Sequence, residues 1–456
     1  MSNWKEYKLV EVAKNASRRF DFSKHSNVIF INTGDVLNNQ FLHKNYSIAD
    51  GLPGQAKKAI QKGDILYSEI RPGNGRYLLV GDSVDDYVVS TKFMVIESNQ
   101  EIILPEFLFL LLISNEATEY FKVIAESRSG TFPQITFDSI SHYELKIPSK
   151  DIQQSIVDNI FVLDKKIELN TQINQTLEQI AQTIFKSWFI DFDPVHAKAN
   201  ALASGQTAEQ ATQAAMAVIS GKNTQELHRL QTANLEQYQQ LWEIAEAFPS
   251  GFDEEGVPRG WGQTTLSEVC SMKNGYAFKS SDWTDEGIPV IKIGSVKPMI
   301  VEVDGNGFVD EEHSVLHSEF LLTEGDIVVG LTGYVGEVGR IPQGRTAMLN
   351  QRVAKFIPNK LNEQQDYYSF VYCLVRDKSF KAFAETNAKG SAQANISTKE
   401  LLNYSIILAS SEIQMKFESL IKPLLDKILV NSGNNENLSK VRDLLLPKLL
   451  SGEIHL

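Results

Sequence analysis

The sequence predicts an α+β chain in which one plan is used twice. Each copy is a globular α/β module followed by a long helix, and the two helices pair as an antiparallel coiled coil about a pseudo-twofold axis. Three observations predict this. The chain repeats itself, both repeats end in a heptad seam, and each module carries alternating apolar runs beside longer helical stretches.

The repeat comes first because it fixes the architecture. Shifting the chain by 261 positions aligns Ile135–Leu177 with Ile396–Leu438 without a gap, and twelve of the forty-three pairs are identical, among them Ile135/Ile396, Tyr143/Tyr404, Gln153/Gln414 and Ile160/Ile421. Ordinary composition would give roughly three. Trp4, Leu9, Glu11 and Val12 match Trp261, Leu266, Glu268 and Val269 at an offset of 257, and Gly63-Asp64-Ile65 matches Gly325-Asp326-Ile327 at 262. The anchors keep their order while the offset drifts, as expected when loops of a shared fold change length. The resulting segments are a module at 1–148, its helix at 149–195, a connector at 196–260, a second module at 261–409 and a second helix at 410–456.

Within the modules, 64–70, 87–96, 326–331 and 352–357 read as strands, and 105–126 and 363–385 as helices. Gly63-Asp64 and Gly325-Asp326 read as turns into strands, and Trp4 and Trp261 as core anchors. The connector opens with an Ala- and Gln-rich stretch, 197–220, that predicts helix. Its end, 248–260, is rich in turn formers and predicts an exposed linker.

The seam of the first helix runs through Ile160, Leu163, Ile167, Asn170, Asn174 and Leu177, and that of the second through Ile421, Leu424, Ile428, Asn431, Asn435 and Leu438. Antiparallel pairing of such helices, each about 50 Å long, would hold two modules about one DNA turn apart or further. The Asn pairs read either as register-setting seam residues or as ordinary solvated positions. Ser432-Gly433 predicts a break in the second helix.

Composition narrows the function classes. Apolar content of 42% and charged content of 22% are those of a globular protein, and 456 residues suffice for several cores. Two cysteines, Cys270 and Cys373, give no disulfide framework. No apolar run is long enough for a bilayer, and the start lacks a secretory signal, so the expected location is the cytoplasm. The formal charge of −13 argues against a protein that grips phosphates alone. It leaves open a subunit that reads bases while partners carry the phosphate load.

Several ordered passages resemble the specificity subunits of type I restriction-modification systems. They are Gly63–Pro72, Phe189–Val195, Gly256–Trp261, Gly325–Gly333 with Asn350-Gln351, and Leu444–Ile454. The resemblance covers essentially the whole chain. It implies two target-recognition domains, each reading one half of a bipartite, asymmetric site in double-stranded DNA, and helices that dock methyltransferase subunits, expected to number two. Restriction and translocase subunits would join that core. It also implies that the chain is not itself an enzyme and binds no cofactor, with S-adenosylmethionine, ATP and Mg2+ on the partners.

Base edges are read by Arg or Lys at guanine and by Asn or Gln at adenine. On Gly-rich or polar loops the first module offers Arg71, Asn74, Arg76, Ser90, Thr91, Lys92, Arg128, Thr131 and Gln134. The second offers Lys273, Asn274, Tyr276, Tyr334, Arg340, Asn350, Gln351, Arg352, Lys389, Gln393 and Asn395. Any one of these residues could equally be a solvated loop position. No methyltransferase signature or Walker lysine motif is present. His313 and His317 have helical spacing, yet they lack a third ligand, so no metal site is expected. The competing readings are a non-catalytic protein scaffold or inactive spare specificity subunit, and a self-contained nuclease or methyltransferase with an unrecognised site.

Overall fold

The computed structural model describes residues 4–82, 84–128, 132–305, 307–390 and 393–454, without the side chain of Arg128. They form two units, one of residues 1–166 with 437–456 and one of 167–436. The division falls within both long helices rather than at the module ends read from the sequence, because each module packs on parts of both helices. Ile156, Ile160, Leu449 and Leu450 lie in the core of the first unit, and Ala181, Phe185, Phe417 and Ile421 in that of the second.

The two modules share one strand topology. In the first, a sheet runs Ser47–Ile48, Asn27–Ile31, Tyr87–Ser90, Ala56–Ala59, with its central pair parallel. A second sheet runs Ala13–Asn15, Phe93–Ser98, Ile65–Ser68, Tyr77–Leu79, all antiparallel. The second module repeats both orders. One sheet is Phe308–Val309, Ile288–Ile291, Ala347–Leu349, Leu321–Leu322, again with a parallel central pair. The other is Cys270–Asn274, Val353–Pro358, Ile327–Gly330, Val338–Arg340, extended by Met299–Ile300. A two-stranded ribbon closes each module, Lys5–Lys8 with Glu144–Ile147 and Gly262–Thr265 with Ser405–Leu408.

Local chemistry explains the turns. Gly63 and Gly325 take the left-handed conformation, φ +85° and +81°, where glycine has no Cβ penalty. The following aspartates then close the turn, Asp64 accepting from Gln61 N at 2.8 Å and Asp326 from Thr323 N at 2.8 Å. The run read as one strand over 87–96 is two strands in different sheets. It folds at Ser90, whose hydroxyl accepts from Lys92 N at 3.2 Å. The helical stretches likewise divide, into Pro105–Leu112 and Asn115–Arg128, and into Tyr368–Arg376 and Lys378–Asn387.

The long helices are Lys150–Phe189 and Ser411–Leu450. The second is continuous through Gly433, contrary to the break expected there. A Cβ at that position would stand 3.0 Å from Gln343 Cβ, so the glycine serves a close approach and the helix tolerates its low propensity.

In the second unit the helices run antiparallel through a polar cluster. Asn170 Nδ2 donates to Asn435 Oδ1 at 2.8 Å and Asn431 Nδ2 to Asn174 Oδ1 at 2.9 Å. Asn174 Nδ2 and Asn435 Nδ2 each reach a backbone carbonyl, Ile428 O and Ile167 O, at 3.3 Å. Shifting one set by 261 residues gives the other, so the contacts obey the pseudo-twofold. Leu177 and Leu424 flank this cluster half-buried, and Ile428 is fully buried. In the first unit Leu163 and Leu438 are half-buried, and Arg442 Nη1 meets Asp164 at 2.8 Å.

The connector forms four helices, Asp193–Ala203, Ala208–Ser220, Thr224–Ala233 and Leu235–Ala247. Its last stretch is not an exposed linker. Phe248 and Val257 are buried, and Phe248 lies edge-on to Trp188 at 5.1 Å. Buried Lys198 secures the segment by donating to Ala245 O, Glu246 O and Phe248 O at 2.6–3.2 Å, satisfying carbonyls that the helix end leaves open. Trp261 is buried in the same core, while Trp4 is half-buried in the first unit. No described helix is long and apolar enough to cross a membrane.

Candidate nucleic-acid interface

Three segments far apart in sequence meet at one joint in each module. In the first, Glu69 N donates to Lys92 O at 2.9 Å, Ile135 N to Glu69 O at 2.8 Å and Arg71 N to Pro133 O at 3.1 Å. Ile70 and Gln134 bridge beside them. In the second, Leu331 N donates to Arg352 O, Ile396 N to Leu331 O and Gly333 N to Ala394 O, each at 3.0 Å, and Thr332 bridges Asn395. The joint therefore superposes Arg71 on Gly333, Lys92 on Arg352 and Gln134 on Asn395 in role. It gathers candidates from three loops that the sequence could not connect.

Backbone conformation singles out Arg71. Its position is left-handed in both modules, φ +47° at Arg71 and +73° at Gly333. A side chain there costs roughly 1–2 kcal/mol relative to glycine, and strain of this kind collects at functional positions. Arg71 and Asn74 are exposed, while Thr91, Lys92 and Gln134 are half-buried at the same edge. Thr131 and the side chain of Arg128 lie outside the described residues.

In the second module Gln351, Arg352, Lys389, Gln393 and Asn395 are exposed, and Tyr334 is 71% exposed on the loop that follows Gly333. Arg352 Nη1 approaches Gln393 Oε1 at 3.4 Å, and Asn395 Oδ1 accepts from Thr332 Oγ1 at 2.8 Å. Lys389 donates to Glu400 at 2.8 Å, a bond that raises the lysine and pushes the Glu400 carboxyl down to about 2. Tyr276 clamps the same loop through its backbone, donating to Leu349 O and accepting from Gln351 N, and its ring stacks on His317 at 4.2 Å. Gly275 is required beside it, because a Cβ would collide with Asn350 O. Half-buried Asn350 accepts from Val353 N through its backbone oxygen. Lys273 lies 4.7 Å over the Phe320 ring, and Asn274 donates to Thr398 Oγ1 at 3.3 Å.

Two sequence candidates, Arg340 and Ser90, are buried, and a third, Arg76, is partly committed to backbone. Arg340 is fully buried, donates to Leu425 O at 3.0 Å and stacks 4.4 Å from the Tyr372 ring, so it cannot reach a solvent-borne ligand. Ser90 is fully buried and forms the turn described above. Arg76 commits its Nη1 to Gly34 O and Val36 O at 2.9 and 2.7 Å, which ties its loop to the segment 34–36.

Gly34 precedes, and Val36 opens, a hairpin that is absent from the expectations above. Val36–Leu37 and Gln40–Phe41 form a hairpin whose turn residues, Asn38 and Asn39, both have positive φ, +44° and +65°. An Asn-Asn pair between short apolar runs is a recognisable signal for this turn. Its contact with the loop at 71–76 was not legible.

Comparison with known proteins follows the same division. The model of the type I restriction modification DNA specificity domain matches residues 1–179 and 258–440, one match per repeat. The type I restriction enzyme HindI specificity subunit of Haemophilus influenzae is 49% identical over the full length of both chains. The MjaIX specificity subunit of Methanocaldococcus jannaschii is 26% identical over 77% of this chain and 69% of its own. In fold, the chain is similar to the type I restriction-modification S subunit from M. genitalium, with a TM-score of 0.51 at 15% identity, covering 98% of this chain and 96% of the other. The chain belongs to the specificity subunits of type I restriction-modification systems, the DNA-recognition components of those systems.

Proposed function

We propose that each module reads one half of a bipartite, asymmetric site in double-stranded DNA through the joint that links its three loops. The carrying observation is the duplicated joint, with Arg71 held in a left-handed conformation that its counterpart meets with glycine. A guanidinium kept at that conformational cost fits a group that pairs with a guanine edge. Arg71, Asn74, Lys92 and Gln134 in the first module, and Tyr334, Gln351, Arg352, Gln393 and Asn395 in the second, are the proposed readers. Thr91, Lys273, Asn274, Tyr276, Asn350 and Lys389 support them or contact phosphate.

The chain acts without catalysis of its own in this reading. It docks two methyltransferase subunits and the restriction subunits in the cytoplasm. S-adenosylmethionine, ATP and Mg2+ bind on those partners, which also supply the phosphate contacts that a chain of charge −13 does not provide.

The test is the methylated-sequence profile of the assembled complex. Exchanging residues 1–148 for another such module changes one half of the site. Arg71→Ala or Arg352→Ala relaxes one or two base pairs in a single half by about 1–3 kcal/mol each. Equal weakening on every sequence would make these phosphate contacts, and changes in both halves after the exchange would defeat the modular reading.

A further inference from the structure

We infer that the hairpin Val36–Phe41 is a second reading element of the first module, with the Gln40 amide reading a base edge next to the one addressed by Arg71. The inference rests on the reading above and adds to it an element with no counterpart among the described residues of the second module.

The hairpin is built to present its tip. Val36 is fully buried and Phe41 packs 5.1 Å from the Tyr87 ring, which anchors the two ends of the hairpin in the module core. Leu37, Asn38, Asn39 and Gln40 are exposed. With both turn residues left-handed the connection is the tight two-residue type, so the tip has little freedom of its own.

It is also fastened to the candidate reading loop. Asn38 N donates to Gly75 O at 2.7 Å and Asn39 N to Tyr77 O at 3.0 Å, and Asn39 Oδ1 accepts from Leu79 N at 2.8 Å. Arg76 joins the two from the other side through Gly34 O and Val36 O. Gly75 permits the approach, since a Cβ there would overlap Asn38 Oδ1. Hairpin and loop thus move as one piece, and Arg71 and Gln40 keep a fixed relation.

At this edge, charge favours a nucleic-acid ligand more in the first module than in the second. Residues 36–49 contain Lys44 and no Asp or Glu, and Asp35 at the hairpin's start is engaged by Asn32 N at 2.9 Å with His43 Nε2 3.5 Å away. In the second module the matching edge is covered by Met299–Ile300, paired in parallel with Gly339–Arg340, and Val301 beyond it is buried. The matching stretch 296–309 carries Glu302 and Asp304 beside Lys297, with Asp304 engaged by Arg345, a balance less favourable to phosphate than that of 36–49. Gln40 carries one donor and one acceptor on a planar amide, the pattern that matches adenine in the major groove.

The experiment uses the full chain assembled with its methyltransferase partners and reads methylated sequences across a randomised site library. Gln40→Ala is expected to lower discrimination at one base pair in the half belonging to residues 1–148 by about ten- to a hundredfold, with the other half unchanged. Gln40→Glu keeps the shape and removes the donor, so it must also lose the parent preference. Asn39→Gly keeps the turn but removes the acceptor for Leu79 N, so it must weaken the same preference as Gln40→Ala and leave the other half unchanged. A Gln40→Ala profile identical to the parent, or a loss spread evenly over all sequences, overturns the inference while the parent's own selectivity upholds the modular reading. A parent complex without any sequence preference overturns both.

Discussion

Gln153 and Gln414 occupy the same position in the two repeats, near the start of the long helix, and both are fully buried. Their surroundings differ. Gln153 accepts from Leu104 N at 2.8 Å and donates to Ile102 O and Pro148 O at 3.0 and 2.9 Å, so it secures the segment that enters the helix Pro105–Leu112. Gln414 has no partner for either amide atom among the described residues. There Glu418 does the equivalent work one turn along, accepting from Ser369 N and Phe370 N, both at 2.9 Å, at the start of the helix Tyr368–Arg376. In the first repeat the position matching Glu418 is Val157, and Pro105 brings no N–H to satisfy. Duplication preserved the junction, and the polar groups that satisfy it were reassigned.

The comparison can be broken in several places. The largest effects belong to what the repeats share. Ile160 and Ile421 are aligned and fully buried, each in the core of its own unit. Ile160→Ala and Ile421→Ala should each cost about 2–5 kcal/mol in denaturant unfolding. If one of the pair proved neutral, the two junctions would not be equivalent in packing.

Next comes a pH dependence that Glu418 brings to the second repeat's junction. Burial pushes the Glu418 carboxyl up from 4.5 to about 7. The folded form therefore holds a proton that the unfolded chain releases near 4.5. Its contribution is complete below that pH and is lost as pH rises to about 7, a change of about 3 kcal/mol at 1.36 kcal/mol per unit. Hydrogen exchange of the Tyr368–Arg376 amides should lose protection across this window, and Glu418→Gln should flatten the profile. An equal pH response in Pro105–Leu112, where Val157 stands instead, would contradict the assignment.

The identical glutamines should then answer the same substitution differently. Gln153→Leu strands Leu104 N and two carbonyls and is expected to cost about 1–3 kcal/mol. Gln414→Leu removes two unpaired polar atoms and should be neutral or stabilising by up to about 1 kcal/mol. Thermal unfolding of the two variants side by side measures the difference, and equal losses would mean that Gln414 is satisfied after all.

A second pair shows the same drift in charge. Asp64 and Asp326 close the same Gly-Asp turn, yet Asp64 is neutralised by Arg18, which also meets Glu97, whereas Asp326 takes Lys355 Nζ at 2.7 Å from the adjacent strand. Burial raises Asp64 despite its arginine. The turn was readable as a tripeptide. The cation was not, because Arg18 is distant in sequence.

The candidate site divides along the same line. Its residue types and their loops could be read in order, including Arg71, Arg352, Gln393 and Asn395. Arg340 could not be excluded from sequence, since an arginine after a Gly-rich turn resembles a reader until Tyr372 and Leu425 are seen to enclose it. The hairpin at 36–41 was passed over for the opposite reason. Its residues are unremarkable singly and gain meaning from Gly75, Arg76 and Tyr77.

By itself the sequence determined the duplication, the helical seams and the Gly-Asp turns, because each is written in identities or spacings among near neighbours. The tertiary structure decided which of two identical glutamines is satisfied, which arginine is buried, and which three loops share an edge. Those outcomes depend on hydrogen-bond partners and burial supplied by residues tens or hundreds of positions away, and local spacing carries no record of them.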